Sequence, residues 1–153
     1  MKPLLKYVLL ALFAISFCQL SLAAKRASKE EAVALVKKAI AEYKSQGREK
    51  ALAAISEPNG KFHDRELFVV TLDAQGTVIA HSVLKEMMGA NLLQFHDANN
   101  IYMVKDMMDK AKQKNSGWSV EYLFLNPVSK KMEKKLSYFE KYDDLLFFCG
   151  VYK

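Results

Sequence analysis

The chain has 153 residues, 51% of them hydrophobic and 26% charged, with a net charge of +6. These values exclude a disordered or fibrous chain and leave room for one domain with one core. The Lys and Arg surplus is scattered among acids and forms no basic stripe interleaved with aromatics, which argues against nucleic acid as a partner.

The chain opens with a short basic stretch, Met1 to Lys6, followed by an apolar run from Tyr7 to Leu22 that is interrupted by Ser16, Gln19 and Ser21. Ser21-Leu22-Ala23 puts small residues three before and one before a cut after Ala23, the pattern a signal peptidase reads. The expectation is a signal peptide over residues 1–23 and one mature domain over residues 24–153, placed in the periplasm or secreted. The alternative is an uncleaved anchor. The run approaches the roughly 20 residues that span a bilayer, and against an anchor stand its polar interruptions and its small-residue end. Cys18 leaves with the leader, so Cys149 has no partner for an internal disulfide. Its apolar surroundings from Leu145 to Tyr152 predict a buried, inert thiol.

Ser28-Lys29-Glu30-Glu31 forms a capping box, and Ala32, Val33, Val36, Ala39, Ile40 and Tyr43 recur at helical spacing until Gly47. A shorter helix from Arg48 to Ile55 ends at the turn Glu57-Pro58-Asn59-Gly60. The period then changes. Leu67 to Leu72 and Thr77 to His81, separated by Asp73 to Gly76, read as a β-hairpin. After an irregular stretch from Ser82 to Asn100, a helix is predicted from Ile101 to Lys114, with Asp97 and Asn100 as caps near its start. Its methionines, with Met87 and Met88 before them, read as adaptable core rather than soft-metal ligands.

Trp118, Val120, Tyr122 and Phe124 alternate against Ser119 and Glu121 as a half-buried strand that ends at Asn126-Pro127. Two further strands, Lys131 to Tyr142 and Leu145 to Tyr152, flank Asp143-Asp144. The predicted fold is α+β: a five-stranded antiparallel sheet with a long N-terminal helix and helices on one side.

Five ordered segments carry a family resemblance: Leu72 to His81, Gly117 to Tyr122, Asn126-Pro127-Val128, Lys135-Leu136-Ser137-Tyr138 and Cys149-Gly150-Val151-Tyr152. Together they resemble the single Cache domains of type 2, which are PAS-like extracytoplasmic sensor modules, over about Ala32 to Lys153. The resemblance implies a pocket roofed by the segment between the second and third strands and a small organic acid as ligand. Asn99 departs from the family, which often has Gly there. Most relatives are fused to a transmembrane helix and a signalling output, whereas this sequence ends just after its last strand. The reading is therefore a ligand-binding sensor acting through a separate membrane-bound signalling protein. The alternative is an interaction subunit with a vestigial pocket, forming a homodimer through the helix Ser28 to Gln46.

On the strand Lys131 to Tyr142, Lys135, Ser137 and Phe139 share one face while Lys134, Leu136 and Tyr138 share the other. If Lys135 faces the pocket, its buried ammonium calls for an anion or a nearby acid; otherwise its head lies in water at the strand's mouth. His81, at the lip of the roof, is placed to donate to a ligand oxygen or, equally, to cap the strand as a structural histidine. Trp118, Tyr122 and Tyr102 are candidate walls, with core packing the favoured alternative for Trp118, and Tyr138 completes the candidate set, although an unbulged strand points it away from Lys135. No enzymatic signature is present. His63, His81 and His96 lack metal spacing, no nucleophile elbow or phosphate loop occurs, and no cofactor is expected.

Overall fold

The computed structural model describes residues 25–153, so the expected signal peptide lies outside the described residues. Helix α1 spans Lys29–Gln46. The Ser28 side chain accepts the Glu31 amide and the Glu31 carboxylate accepts the Ser28 amide, which satisfies two of the N–H groups a helix start leaves orphaned. Gly47, at φ 82, stops α1 and starts α2, Arg48–Ile55.

Strands β1 (His63–Asp64), β2 (Leu67–Leu72) and β3 (Val78–His81) follow, then a 3-10 turn at Lys85–Met87 and helix α3 (Met103–Ala111). Strands β4 (Ser116–Trp118), β5 (Tyr122–Leu125), β6 (Met132–Tyr142) and β7 (Leu145–Tyr152) complete the described chain. They form one sheet of seven antiparallel strands in the order β1-β2-β7-β6-β4, with β3 also paired to β2 and β5 also paired to β6. Among the described residues no helix is long and apolar enough to cross a membrane.

Every residue of β2 and β7 is buried, because both sheet faces are covered. On one face Leu67, Val69, Phe147, Cys149 and Val151 pack against Ala32, Val36, Ala39 and Ile40 of α1 and Ile55 of α2. On the other, Phe68, Val70, Leu146 and Phe148 pack against Leu92 and against Met103, Val104 and Met107 of α3. Each large side chain so buried contributes roughly 1.5–3 kcal/mol. The apolar stripe of α1 is thus taken up by the protein's own sheet.

The α+β, PAS-like class is as expected, and three details are refined. Helices lie on both faces rather than one, because strands apolar on both sides need cover on both. The predicted third strand is divided into β4 and β5, and His63–Asp64 adds a short edge strand, giving seven strands where five were predicted. Asp97 and Asn100 do not cap α3, whose N-cap is Tyr102 with no side-chain cap bond. Asp97 instead accepts the amides of Asn99 and Ile101 through Oδ1 and that of Leu123 through Oδ2, tying the roof segment to β5.

Candidate functional site

A small cavity lies between the second sheet face and the roof. Its floor includes Phe68 and Val70 of β2, Phe124 of β5 and Phe148 of β7, and its cover includes Met87, Leu92, Phe95, Met103 and Val104. Three polar side chains enter this apolar space: His81, Tyr122 and Lys135. The free volume is about 20 Å³, room for about one water molecule.

Lys135 points to this face because β6 alternates strictly, with Phe139 on the cavity side and Tyr138 on the α1 side. The residue is 2% exposed. Its Nζ donates to Tyr152 Oη at 3.1 Å and sits 4.0 Å from the ring centre of Phe68, 4.6 Å from that of Tyr152 and 5.0 Å from that of Phe124. The rings' negative faces stabilise the ammonium in part. No ion pair among the described residues involves it. The Glu66 carboxylate is committed to the Ala27 amide at 2.8 Å. Cys149, its thiol pushed up to about 12 by burial, is neutral near pH 7. Burial therefore pushes the Lys135 ammonium down to about 7, against a weaker opposing pull from Glu66.

His81 is 2% exposed and stacks on Phe68 with ring centres 5.2 Å apart. Its Nδ1 accepts the amides of Val83 and Leu84, each at 3.1 Å, which fixes the turn into the roof and leaves the proton on Nε2. Burial, with the nearby Lys135 charge, pushes the imidazole down to about 4, so the ring is neutral. It offers an N–H to the cavity, not a second cation. Tyr122 is paired with Lys135 across β5 and β6, and its phenol bonds Ser137 Oγ at 2.6 Å. Burial raises the pKa of that phenol.

The structure brings Lys135, His81 and Tyr122 together and leaves the other three candidates elsewhere. Trp118 pairs with Tyr138 in the sheet, and Tyr122 pairs with Lys135. Four steps along β4 and β5 therefore oppose three along β6. The extra residue is a bulge that turns Trp118 to the α1 side, although Trp118 and Tyr122 have the spacing of one strand face. Trp118 packs edge-on against Tyr138 at 5.5 Å, and Lys29 lies over its ring. Both aromatics belong to the α1 side of the core, so they are corrected to packing positions. Tyr102 is 38% exposed, lies beside His96 and does not line the cavity.

Phe68, Phe124 and Tyr152 around the ammonium were missed as site residues. Tyr152 was legible, because a two-residue turn at Asp143-Asp144 sets Tyr142 opposite Leu145 and so Lys135 opposite Tyr152. Gly150 was missed as well. A Cβ there would lie 2.2 Å from Lys135 Cε, so the lysine stem crosses β7 only because this position has no side chain.

Several solved structures share this fold. The crystal structure of a methyl-accepting chemotaxis protein from Vibrio parahaemolyticus is 18% identical with a TM-score of 0.67, covering 81% of this chain and 87% of that one. A Cache chemosensory domain, described for its carboxylic acid recognition, is 19% identical with a TM-score of 0.66, covering 80% and 91%. The periplasmic sensor domain of a chemotaxis protein is 21% identical with a TM-score of 0.63, covering 80% and 88%. At these identities the likeness is one of fold. The sequence profile of the family Single Cache domain 2 matches residues 6–151, and with it the chain belongs to this family of extracytoplasmic, ligand-binding sensor domains.

Proposed function

We propose that this chain is a sensor whose cavity takes a small carboxylate on the Lys135 ammonium and whose liganded state is read by a membrane-bound signalling partner. One observation carries the reading: a lysine enclosed by aromatic rings, with one hydrogen bond and no paired carboxylate among the described residues. A guest carboxylate supplies the missing charge, and its second oxygen can accept from His81 Nε2. The present free space of about 20 Å³ means that Met87 and Phe95 of the cover must shift to admit any acid larger than a water. That requirement selects short acids and makes the roof the part that responds to the guest. The solved Cache domain with carboxylic acid recognition supports this reading by analogy of fold. On this proposal residues 1–23 are a leader and the mature domain works outside the cytoplasm.

The test is a thermal-shift and calorimetric screen of formate, acetate, propionate, pyruvate and lactate, with the matching primary amides as neutral controls. At a hundred times its dissociation constant a ligand adds about 2.7 kcal/mol, a melting shift of a few degrees for a domain of this size. Acids that shift the native protein but not Lys135→Met, with silent amides, support the assignment. Equal responses to acid and amide, or a response that survives Lys135→Met, overturn it.

A further inference from the structure

Among the described residues the three most exposed large hydrophobic side chains, Leu125, Val128 and Met132 at 44–58%, all belong to the β5–β6 hairpin. Leu125 and Met132 are direct cross-strand partners, and Val128 lies in the turn that joins them. Apolar side chains gathered in this way outside the core mark a surface that meets something other than water.

The polar groups of the same turn are used up inside it. Buried Asn126 accepts the Val128 and Ser129 amides through Oδ1 and donates from Nδ2 to Glu133. The Asn126 amide donates to the Lys131 carbonyl, the Lys130 amide to the Asn126 carbonyl and the Lys131 amide to the Ser129 hydroxyl. Pro127 has no amide, so every backbone N–H from Asn126 to Lys131 has its partner within the hairpin. That is the condition for a segment to enter the apolar boundary of a bilayer, where water is scarce and an unpaired donor is costly.

Cations flank the apolar tip. Lys130 and Lys131 are exposed and form no ion pair among the described residues. Glu133, the one acid between Leu125 and Lys134, is already engaged by Asn126, Ser129 and Arg26. The free charge at the tip is therefore positive, and its complement is an anionic surface. A stable protein interface buries about 800 Å² on each partner, more than one turn offers, whereas a few apolar side chains with adjacent lysines suffice for reversible attachment to lipid. We propose that the β5–β6 turn docks on an anionic lipid bilayer. Leu125, Val128 and Met132 enter the headgroup boundary, and Lys130 and Lys131 meet lipid phosphates. The surface is independent of the cavity's guest.

The test uses residues 24–153, which contain both core clusters and leave out the apolar run Tyr7 to Leu22, itself able to bind lipid. Cosedimentation with vesicles of phosphatidylcholine and phosphatidylglycerol, about two to one, is compared with phosphatidylcholine alone. The expected result is saturable binding to the anionic vesicles and binding weaker by about tenfold or more to the neutral ones. Lys130→Gln with Lys131→Gln should weaken binding about tenfold, as should Val128→Ser with Met132→Ser. Lys37→Gln with Lys114→Gln removes the same charge elsewhere and should leave binding unchanged. All these positions are exposed, so the fold is retained. No binding to anionic vesicles, equal weakening by the two lysine pairs, or indifference to Val128→Ser with Met132→Ser overturns the proposal. Self-association abolished by Val128→Ser with Met132→Ser, without vesicle binding, overturns it in favour of a second copy as the occupant. The acid response of the cavity is read without vesicles, so either reading can fail while the other stands.

Discussion

Lys135 stands directly across the β6–β7 hairpin from Tyr152, and its ammonium donates to the phenol oxygen, which in turn donates to the Leu125 carbonyl. The phenol thus ties the cavity's charge to the end of β5. Tyr152→Phe keeps the ring and removes both bonds. Because the lost acceptor served a charged donor, the expected loss is about 1.5–3 kcal/mol, measured by urea unfolding of the ligand-free protein. A variant as stable as the native chain would show that the ammonium finds its stabilisation in the rings alone.

Lys135→Met replaces the buried cation with an apolar side chain of similar length. Exchanging an unfavourably buried charge for a well-packed hydrophobe is often neutral or stabilising by 1–4 kcal/mol, and the lost cation–π attraction offsets part of that. The expected outcome at pH 6 is a gain of about 1–2 kcal/mol in unfolding free energy together with loss of the acid-induced shift. A site whose removal stabilises the empty protein is the mark of function over packing. Marked destabilisation would place Lys135 among the structural residues.

The same residue sets a pH dependence. Its ordinary value is 10.5 and burial brings it down to about 7 in the folded chain. Between those pH values the unfolded chain holds a proton that the folded chain lacks, so this group makes stability rise with pH across that window. Below about pH 7 the full burial penalty is present, and above about 10.5 it is gone. The advantage of Lys135→Met should therefore be largest below pH 7 and fade toward pH 10. Ligand binding has the opposite sense: an anion favours the ammonium, so at pH 8 acid binding takes up protons and its affinity falls as pH rises. Calorimetry in buffers of different ionisation enthalpy measures that uptake, and pH-independent affinity from 6 to 9 would contradict it.

That Lys135 shares a face with Ser137 and Phe139 was legible in the sequence because β6 is long and alternates without interruption, but which face lines the cavity was not. The partner of Lys135, Tyr152, was legible for the same reason, through the tight turn at Asp143-Asp144. That Trp118 lies on the opposite face from Tyr122 was not legible, because the bulge before Tyr122 comes from pairing with β6, which alternation along one strand does not encode. The roof had no period to read. Its shape depends on contacts distant in sequence, such as Asp97 holding the Leu123 amide. Local patterns therefore indicated the main strands and the alternation of β6, while the burial of the cation and the cavity's cover depend on which elements meet.

Gly150 shows how narrow the tolerance around the cation is. It faces Ser137 across the hairpin, and an added Cβ would lie 2.2 Å from Lys135 Cε, 2.6 Å from Ser137 Oγ and 2.9 Å from Lys135 Cγ. Its φ is not left-handed, so Gly150→Ala strains no backbone angle and acts only by contact. The lysine stem is flexible and β7 is held on both sides by β2 and β6, so the lysine is the part that moves. Overpacking of this kind costs about 1–3 kcal/mol. If the stem is displaced from its track across β7, the ammonium leaves the three rings. Gly150→Ala should then weaken acid binding at least tenfold, and the double variant Gly150→Ala with Lys135→Met should regain most of the lost stability without regaining the acid response. Additive stability losses in the double variant would show that the contact with Ser137 Oγ, not the lysine, sets the cost of the methyl group.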